Sequence, residues 1–581
     1  VKHIYIAALA AYKAGIDWSA PPYNFRWLNG NIQYVMNFTA PDNVLMEDFG
    51  VVSSLGGTPT AYDVEISRGA ALTMAAWANV AGQPDAPRIS QYYLQTSAAV
   101  QDTHTSGRAG IPYNSPFLAG VRSEEWLDFL LHRDSWPLAD WTPQEATYYG
   151  LSGDYAVTRT AWNDPNALYV TFQGNIFVDQ AGQGKEKMKL GEVTVRRGGT
   201  KRLVGTADGF VARRNSKAQV DELHNTNAYS NNAWMRLNRF YNGLWAAAPG
   251  GFGGSQNFEN WCASGSIDKN SRIIPSMDAS ILSMDDSARP RIDLRTDAVD
   301  YVYWRAAKLE CYYTLGPKYS ADKVNHVQSW TREVLTLRPQ GIVVVRDHTA
   351  VRNSSDEYFI NWIVPQGGTL STAGPENPLT RFTVSNQELG GDIGAITFVA
   401  PDQATVTQAD CVRPGGDSYN ACDRLEVRPH ADRSSRSDEF VTVLDASGDL
   451  GSVATVERRP ATGGIAVEIS GYAAVIFAAD GRVTYTLSRP AERRHVIAGL
   501  TPGHHYWAAK SGLDYTVSSA EGGLALTADS GGTVSFTTGP DGAVLDPAQS
   551  AALFPKPVLR YPQTWKPKRG TIRAARTGKG K

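Results

Sequence analysis

Cysteine is scarce, four in 581 residues, and no pair has C-x-x-C spacing, which excludes a disulfide-built scaffold and the common zinc ribbons. Long apolar runs are missing. The longest, residues 474–479 and the alanine-rich 70–80, fall short of the roughly 20 residues a membrane helix needs, so no membrane span is expected. An excess of charge is missing too: 56 Lys and Arg against 58 Asp and Glu leave a net charge of -2. Without a broadly basic surface, nucleic acid is not an expected partner. Also absent are a G-x-S-x-G elbow, a P-loop, H-E-x-x-H and a dinucleotide fingerprint. Carboxylates at Glu124, Glu125, Asp128, Asp140 and Glu145 could be paired for glycoside hydrolysis, but acidic pairs are too common to point there alone.

What is present is an ordinary globular composition, 42% hydrophobic and 20% charged, in a chain long enough for two to four domains at roughly 100–200 residues each. The pattern predicts an α+β fold. Residues 1–145 show helical spacing, as in Ile4, Ala8 and Ala11 and in ALTMAAWANVAG, broken by Pro/Gly loops. The opening VKHIYIAALAAYKAG reads as an amphipathic helix rather than a signal remnant. Over 146–430, alternating or β-branched runs such as YAVTRTAW, ALYVTFQG, GEVTVRRGG, TREVLTLRP, GIVVVRDHTAV and EYFINWIVP predict a large antiparallel β region. Over 431–562, runs from GGIAVEISG to GTVSFTTG predict a smaller C-terminal β-domain, and 563–581 are expected to be a basic, disordered tail. Cys411 and Cys422 bracket CVRPGGDSYNAC, where a bridge would close a surface excursion and mark a secreted or periplasmic protein. Cys262 and Cys311 are as readily two buried thiols as a second bridge.

Three segments carry more. GDYAVTRTAWNDPNALYVTFQG (153–174), with its Arg-x-x-Trp stretch, LHNTNAYSNN (223–232), with His-Asn-Thr, and SWTREVLTLRPQGIVVVRDHTAV (329–351) stand in an order and spacing that resembles the heparinase II/III-like polysaccharide lyases. The resemblance covers roughly residues 20 to 400. It implies an incomplete (α/α) toroid packed on a large antiparallel β-sandwich, with an acidic polysaccharide cleaved by β-elimination in the groove between them. A base removes the proton alpha to a uronate carboxylate, something neutralises that carboxylate, and an acid protonates the departing glycosidic oxygen. In the family a zinc ion held by a His-x-His strand, a later Asp and the His-Asn-Thr histidine commonly braces the site.

Two departures qualify that expectation. Where the family has His-x-His-x-Asp, this chain reads GKEKMKLGEVTV, with Lys185, Lys187 and Lys189 at the corresponding positions. A lysine with a pKa near 10.4 is a poor zinc ligand; His224 and Asp208 lose their partner, and neither a metal nor another cofactor is expected. Three lysines at i, i+2 and i+4 of a strand share one face and could neutralise a uronate, the alternative being a solvated face. The second departure is length: only about twenty residues precede the segment matching the family's toroid, so either helices lie outside this sequence or the helical domain is reduced.

His224 is the first candidate for catalysis, set among Asn225, Thr226 and Asn227, with a structural histidine as the alternative. Tyr34 and Tyr23 are candidates for the base, a role that needs nearby cations such as Arg26 or the lysines to draw the phenol down from about 10. Asn225, Lys185, Lys187, Lys189, Arg26 and Arg332 are candidates for binding substrate; for Arg332 a structural salt bridge weighs more. The tryptophans, Trp126, Trp136, Trp141, Trp234, Trp245 and Trp261 among them, suit sugar stacking, though most belong in cores. Residues 241–261 are expected to be a loop lining the cleft. The leading expectation is therefore a metal-free lyase acting on an acidic polysaccharide. A non-catalytic binder of anionic glycans and a hydrolase on the same scaffold are its rivals, and the oligomeric state is open.

Overall fold

The computed structural model describes residues 2–25, 27–39, 41, 61–94, 129–138, 147–150, 155–162, 164, 166–174, 191–198, 201–205, 242–247, 266–267, 273–274, 290–309, 327–338, 340–365, 367–374, 377–386, 391–412, 418–430, 436–479, 481–546 and 549. Helices come first: α1 (Lys2–Lys13), α2 (Trp27–Phe38) and α3 (Ala61–Val80), then a helical run over 86–94. They share one core. Leu28, Ile32 and Met36, four residues apart, form a stripe on α2, and Tyr5, Ala8 and Leu9 form one on α1, the periodicity of a one-sided helix. Residues 70–78 of α3 are buried on all sides, which explains their unbroken apolar character. On α1 the inward face is one residue off the expected spacing: Tyr5 is buried and Ile4 is 39% exposed.

The β region opens with a five-stranded antiparallel sheet in sequential order: β1 (Thr147–Tyr149), β2 (Tyr155–Arg159), β3 (Leu168–Gln173), β4 (Val193–Arg197) and β5 (Lys201–Val204). Next in the chain are β6 (Gly243–Ala247) and a short pair, β7 (Ser266–Ile267) and β8 (Ile273–Ile274). Then come β9 (Arg291–Asp297), β10 (Tyr301–Ala307), β11 (Val327–Leu337), β12 (Ile342–Val351), β13 (Glu357–Pro365), β14 (Thr369–Gly374), β15 (Asn377–Asn386), β16 (Gly391–Ala400), β17 (Thr405–Val412), β18 (Ser418–Arg428) and β19 (Ser437–Asp445). Eight of them form a sheet in the order β14-β15-β16-β19-β12-β11-β10-β9, and β17-β18-β13-β6 form another. The first sheet adjoins this four-stranded one, because Gly205 N donates to Ile363 O. Together they cover one face of the eight-stranded sheet through a core including Phe172, Trp304, Trp330, Trp362 and Phe382.

The opposite face of the eight-stranded sheet, with Tyr303, Val344 and Val441, packs on a C-terminal sandwich. Its inner sheet has the order Val456–Arg459, Gly464–Ile469, Ala473–Ala478, Arg493–Ala498, Val534–Thr538, and its outer sheet Ala461–Thr462, Val483–Thr486, Asp514–Ser518, His505–Ser511, Leu524–Thr527. Ala473–Ala478 and Arg493–Ala498 pair in parallel. The molecule is thus a stack of helices, paired sheets, eight-stranded sheet and sandwich. β19, which the sequence pattern groups with the C-terminal domain, lies between β12 and β16; alternation marks a strand but not its neighbours. Part of the expected cleft loop 241–261 is also strand: β6 pairs with β13 and buries Leu244 in the core. Among the described residues no helix is long and apolar enough to cross a membrane, which says nothing of β-barrels.

Candidate active site between helices and sheet

Period-2 alternation divides the first sheet into two faces. Ala156, Leu168, Val170, Phe172, Val193 and Val195 point into the sandwich core. Val157, Arg159, Tyr169, Thr171, Gln173, Thr194 and Arg196 alternate with them and so occupy the other face, yet all are buried. The helices cover part of it. Phe38 of α2 packs on Val157 and Tyr169, with an edge contact to Tyr155 at 4.8 Å.

Arg159 is the joint of this interface. Its Nη2 donates to Asn37 O and Thr39 O, both at 2.8 Å, and Tyr169 Oη donates to Asn37 O at 3.1 Å. The last carbonyls of a helix lack partners within it and carry partial negative charge, so a cation there stabilises by about 0.3–1 kcal/mol, more when buried. The guanidinium lies 3.9 Å from the Trp162 ring and 5.1 Å from that of Tyr169, with Arg196 5.7 Å from the same tyrosine. Burial lowers the pKa of Arg159 to about 10, against the opposing influence of Tyr169 and Tyr92. It stays charged at neutral pH. Trp162 itself belongs to the helical core, so the Arg-x-x-Trp stretch fastens helices to sheet. Nothing in its sequence beyond the spacing of a cation and an aromatic announces that role.

Topology adds a second feature. In an antiparallel sheet of sequential order, β3 and β5 point the same way. Hence the β3–β4 connection, which carries Lys185, Lys187 and Lys189, and the β5–β6 connection, which carries Asp208, His224 and Asn225, leave from one end of the sheet. These six residues, with Arg26, lie outside the described residues. The root of the first connection is tied into the sheet: Gly191 N donates to Gln173 O at 2.8 Å, and Gln173 N to Glu192 O at 2.9 Å.

Arg332 secures that root from beneath. Its Nε and Nη2 bind Asp347 at 2.6 and 2.8 Å, Nη1 donates to Gly191 O at 2.6 Å, and Trp330 Nε1 also donates to Asp347, at 2.7 Å. The side chain has no exposed surface. Arg332 makes the structural ion pair that weighs more in its sequence reading, and it points into the core between two sheets, whereas the helices lie beyond the far face of the first sheet. Gly191 has φ +74°, and a Cβ there would come within 2.5 Å of the Trp330 ring.

Of the tyrosines, Tyr23 lies on the turn before α2, 46% exposed, with its ring 6.2 Å from that of Phe25. Tyr34 is on α2, three residues before Asn37; its side chain is outside what is described, as are those of Cys411, Cys422 and Trp245. Cys262, Cys311, Trp126, Trp141, Trp234, Trp261 and the acidic candidates 124–145 lie outside the described residues. Five tryptophans, Trp77, Trp162, Trp304, Trp330 and Trp362, are fully buried, packing roles rather than sugar platforms.

No protein-family profile matches the chain, and no curated protein matches it. Among solved structures, a heparinase III is 10% identical with a TM-score of 0.38, covering 81% of this chain and 63% of its own. The heparan sulfate lyase of Pedobacter heparinus is 11% identical with a TM-score of 0.36, over 81% of this chain and 64% of its own. A chondroitin AC lyase from Streptomyces coelicolor A3, solved with chondroitin sulphate, is 10% identical with a TM-score of 0.41, over 90% of this chain and 67% of its own. The chain spans less than two thirds of the length of the heparinase III and of the Pedobacter enzyme.

Proposed function

We propose that the chain is an exported polysaccharide lyase that cleaves a uronate-containing polysaccharide by β-elimination, in a groove between an incomplete (α/α) toroid and the first sheet. The observation supporting this most is that the two connections bearing the lysine triplet and His224 leave one end of the sheet whose far face meets the helices. In this reading Tyr34, or Tyr23 in its place, takes the proton alpha to the carboxylate. Lys185, Lys187, Lys189, Asn225 and Arg26 neutralise the carboxylate, which stabilises the enolate-like intermediate. His224 supplies the proton exchange that releases the glycosidic oxygen.

Zinc does not fit this donor set. Ammonium groups stand where the family's imidazoles stand, and they bind carboxylates rather than divalent cations. No step is routed through a metal. Incubating the chain with alginate, heparin, hyaluronan, pectate and gellan tests the proposal: an unsaturated uronate product is expected with at least one. Products lacking the double bond would indicate hydrolysis, and salt-sensitive binding without product a glycan-binding relative.

A further inference from the structure

Arg159, at the end of β2, is 1% exposed, and its hydrogen bonds go to another element. Nη2 donates to Asn37 O and Thr39 O at the C-terminal end of α2, where the last carbonyls have no donor within the helix. Among the described residues Nε and Nη1 are buried without a hydrogen-bond partner, so the hydrogen-bonded grip of this guanidinium on α2 is concentrated in one nitrogen. The guanidinium plane is fixed by Trp162 on the helical side and Tyr169 on the sheet. A lysine ammonium, a point charge on a flexible stem, has neither the plane nor the reach to do both. Tyr34 precedes Asn37 by three residues, less than one helical turn.

We propose that Arg159 is a positioning residue: by capping α2 against the sheet it sets where that helix, and with it Tyr34, stands relative to the groove. This rests on the lyase reading with Tyr34 as base. An arginine that merely filled space would be replaceable by a side chain of similar size. One that positions a helix would not.

The test compares the wild-type chain with Arg159→Lys and Arg159→Met in two independent readouts. Hydrogen exchange by mass spectrometry should show the amides of 27–39 exchanging about tenfold faster or more in both variants, with 456–538 unchanged. On a polysaccharide that wild type cleaves, kcat should fall about tenfold or more with KM within about twofold, since a small displacement of a catalytic group costs rate rather than ground-state binding. Methylguanidinium should partly restore kcat to Arg159→Ala. Unchanged exchange over 27–39 would overturn the proposal whatever the activity, and so would faster exchange with unaltered kcat. If the lysine and methionine variants do not fold, Tyr169→Phe, which deletes the bond to Asn37 O, should move both readouts the same way to a lesser extent. A wild type silent on every polysaccharide would sink the lyase reading, while exchange would still decide whether Arg159 holds α2.

Discussion

Arg332 and Asp347 sit directly opposite each other across the β11–β12 pair, and each is buried. Removing one partner strands a charge in the interior, so Asp347→Asn should cost about 3–5 kcal/mol in urea unfolding. A loss below about 1 kcal/mol, as for an exposed pair, would contradict the burial. Gly191→Ala should cost about 1 kcal/mol or more, because alanine is strained at φ +74° and meets Trp330; an unchanged unfolding midpoint would contradict it. The cross-strand pairing was partly legible: a short turn after Leu337 brings the arginine and the Val-Val-x-Asp aspartate into register. Which face of the sheet they occupy was not, since alternation is silent about which layer lies on which side.

Among the elements, the C-terminal sandwich is held by polar groups as well as apolar ones. His495 is buried on the strand Arg493–Ala498, with Nδ1 2.7 Å from Tyr485 Oη, Nε2 3.2 Å from Thr538 Oγ1, and its ring stacked 4.5 Å from Phe536. Burial, aided by the charge of Arg493, drives its pKa down to about 3. The unfolded chain therefore binds a proton near pH 6.5 that the folded one refuses. The stabilisation is complete above that value and declines as pH falls toward 3, by about 1.4 kcal/mol per unit. On β19, burial would raise Glu439, but His348 and Arg346 outweigh it and hold the group at about 2; its share is lost between about pH 4.5 and 2. Urea midpoints from about pH 7 to about pH 5 should fall in wild type and much less in His495→Gln. Equal slopes would show that His495 is not kept neutral. The strands themselves were readable from period-2 runs, whereas the insertion of β19 between β12 and β16 depends on long-range pairing that local texture does not encode.

At the scale of the molecule, the sequence conveyed the order of helices first and antiparallel sheets after, and the positions of most strands. It did not convey the layering, in which one face of the first sheet meets α2 through Arg159 and the other meets Trp304 and Trp330. Nor did it reveal that Arg332 lies under the sheet while the lysine and His224 connections leave its end. The most direct test of the proposed chemistry is ultraviolet absorbance during incubation with the uronate panel, comparing wild type, His224→Ala and wild type with a chelator. The account predicts a rise from unsaturated uronate that survives the chelator and falls by about 100-fold or more in rate with His224→Ala. No rise on any polysaccharide, or a rise abolished by the chelator, would contradict it.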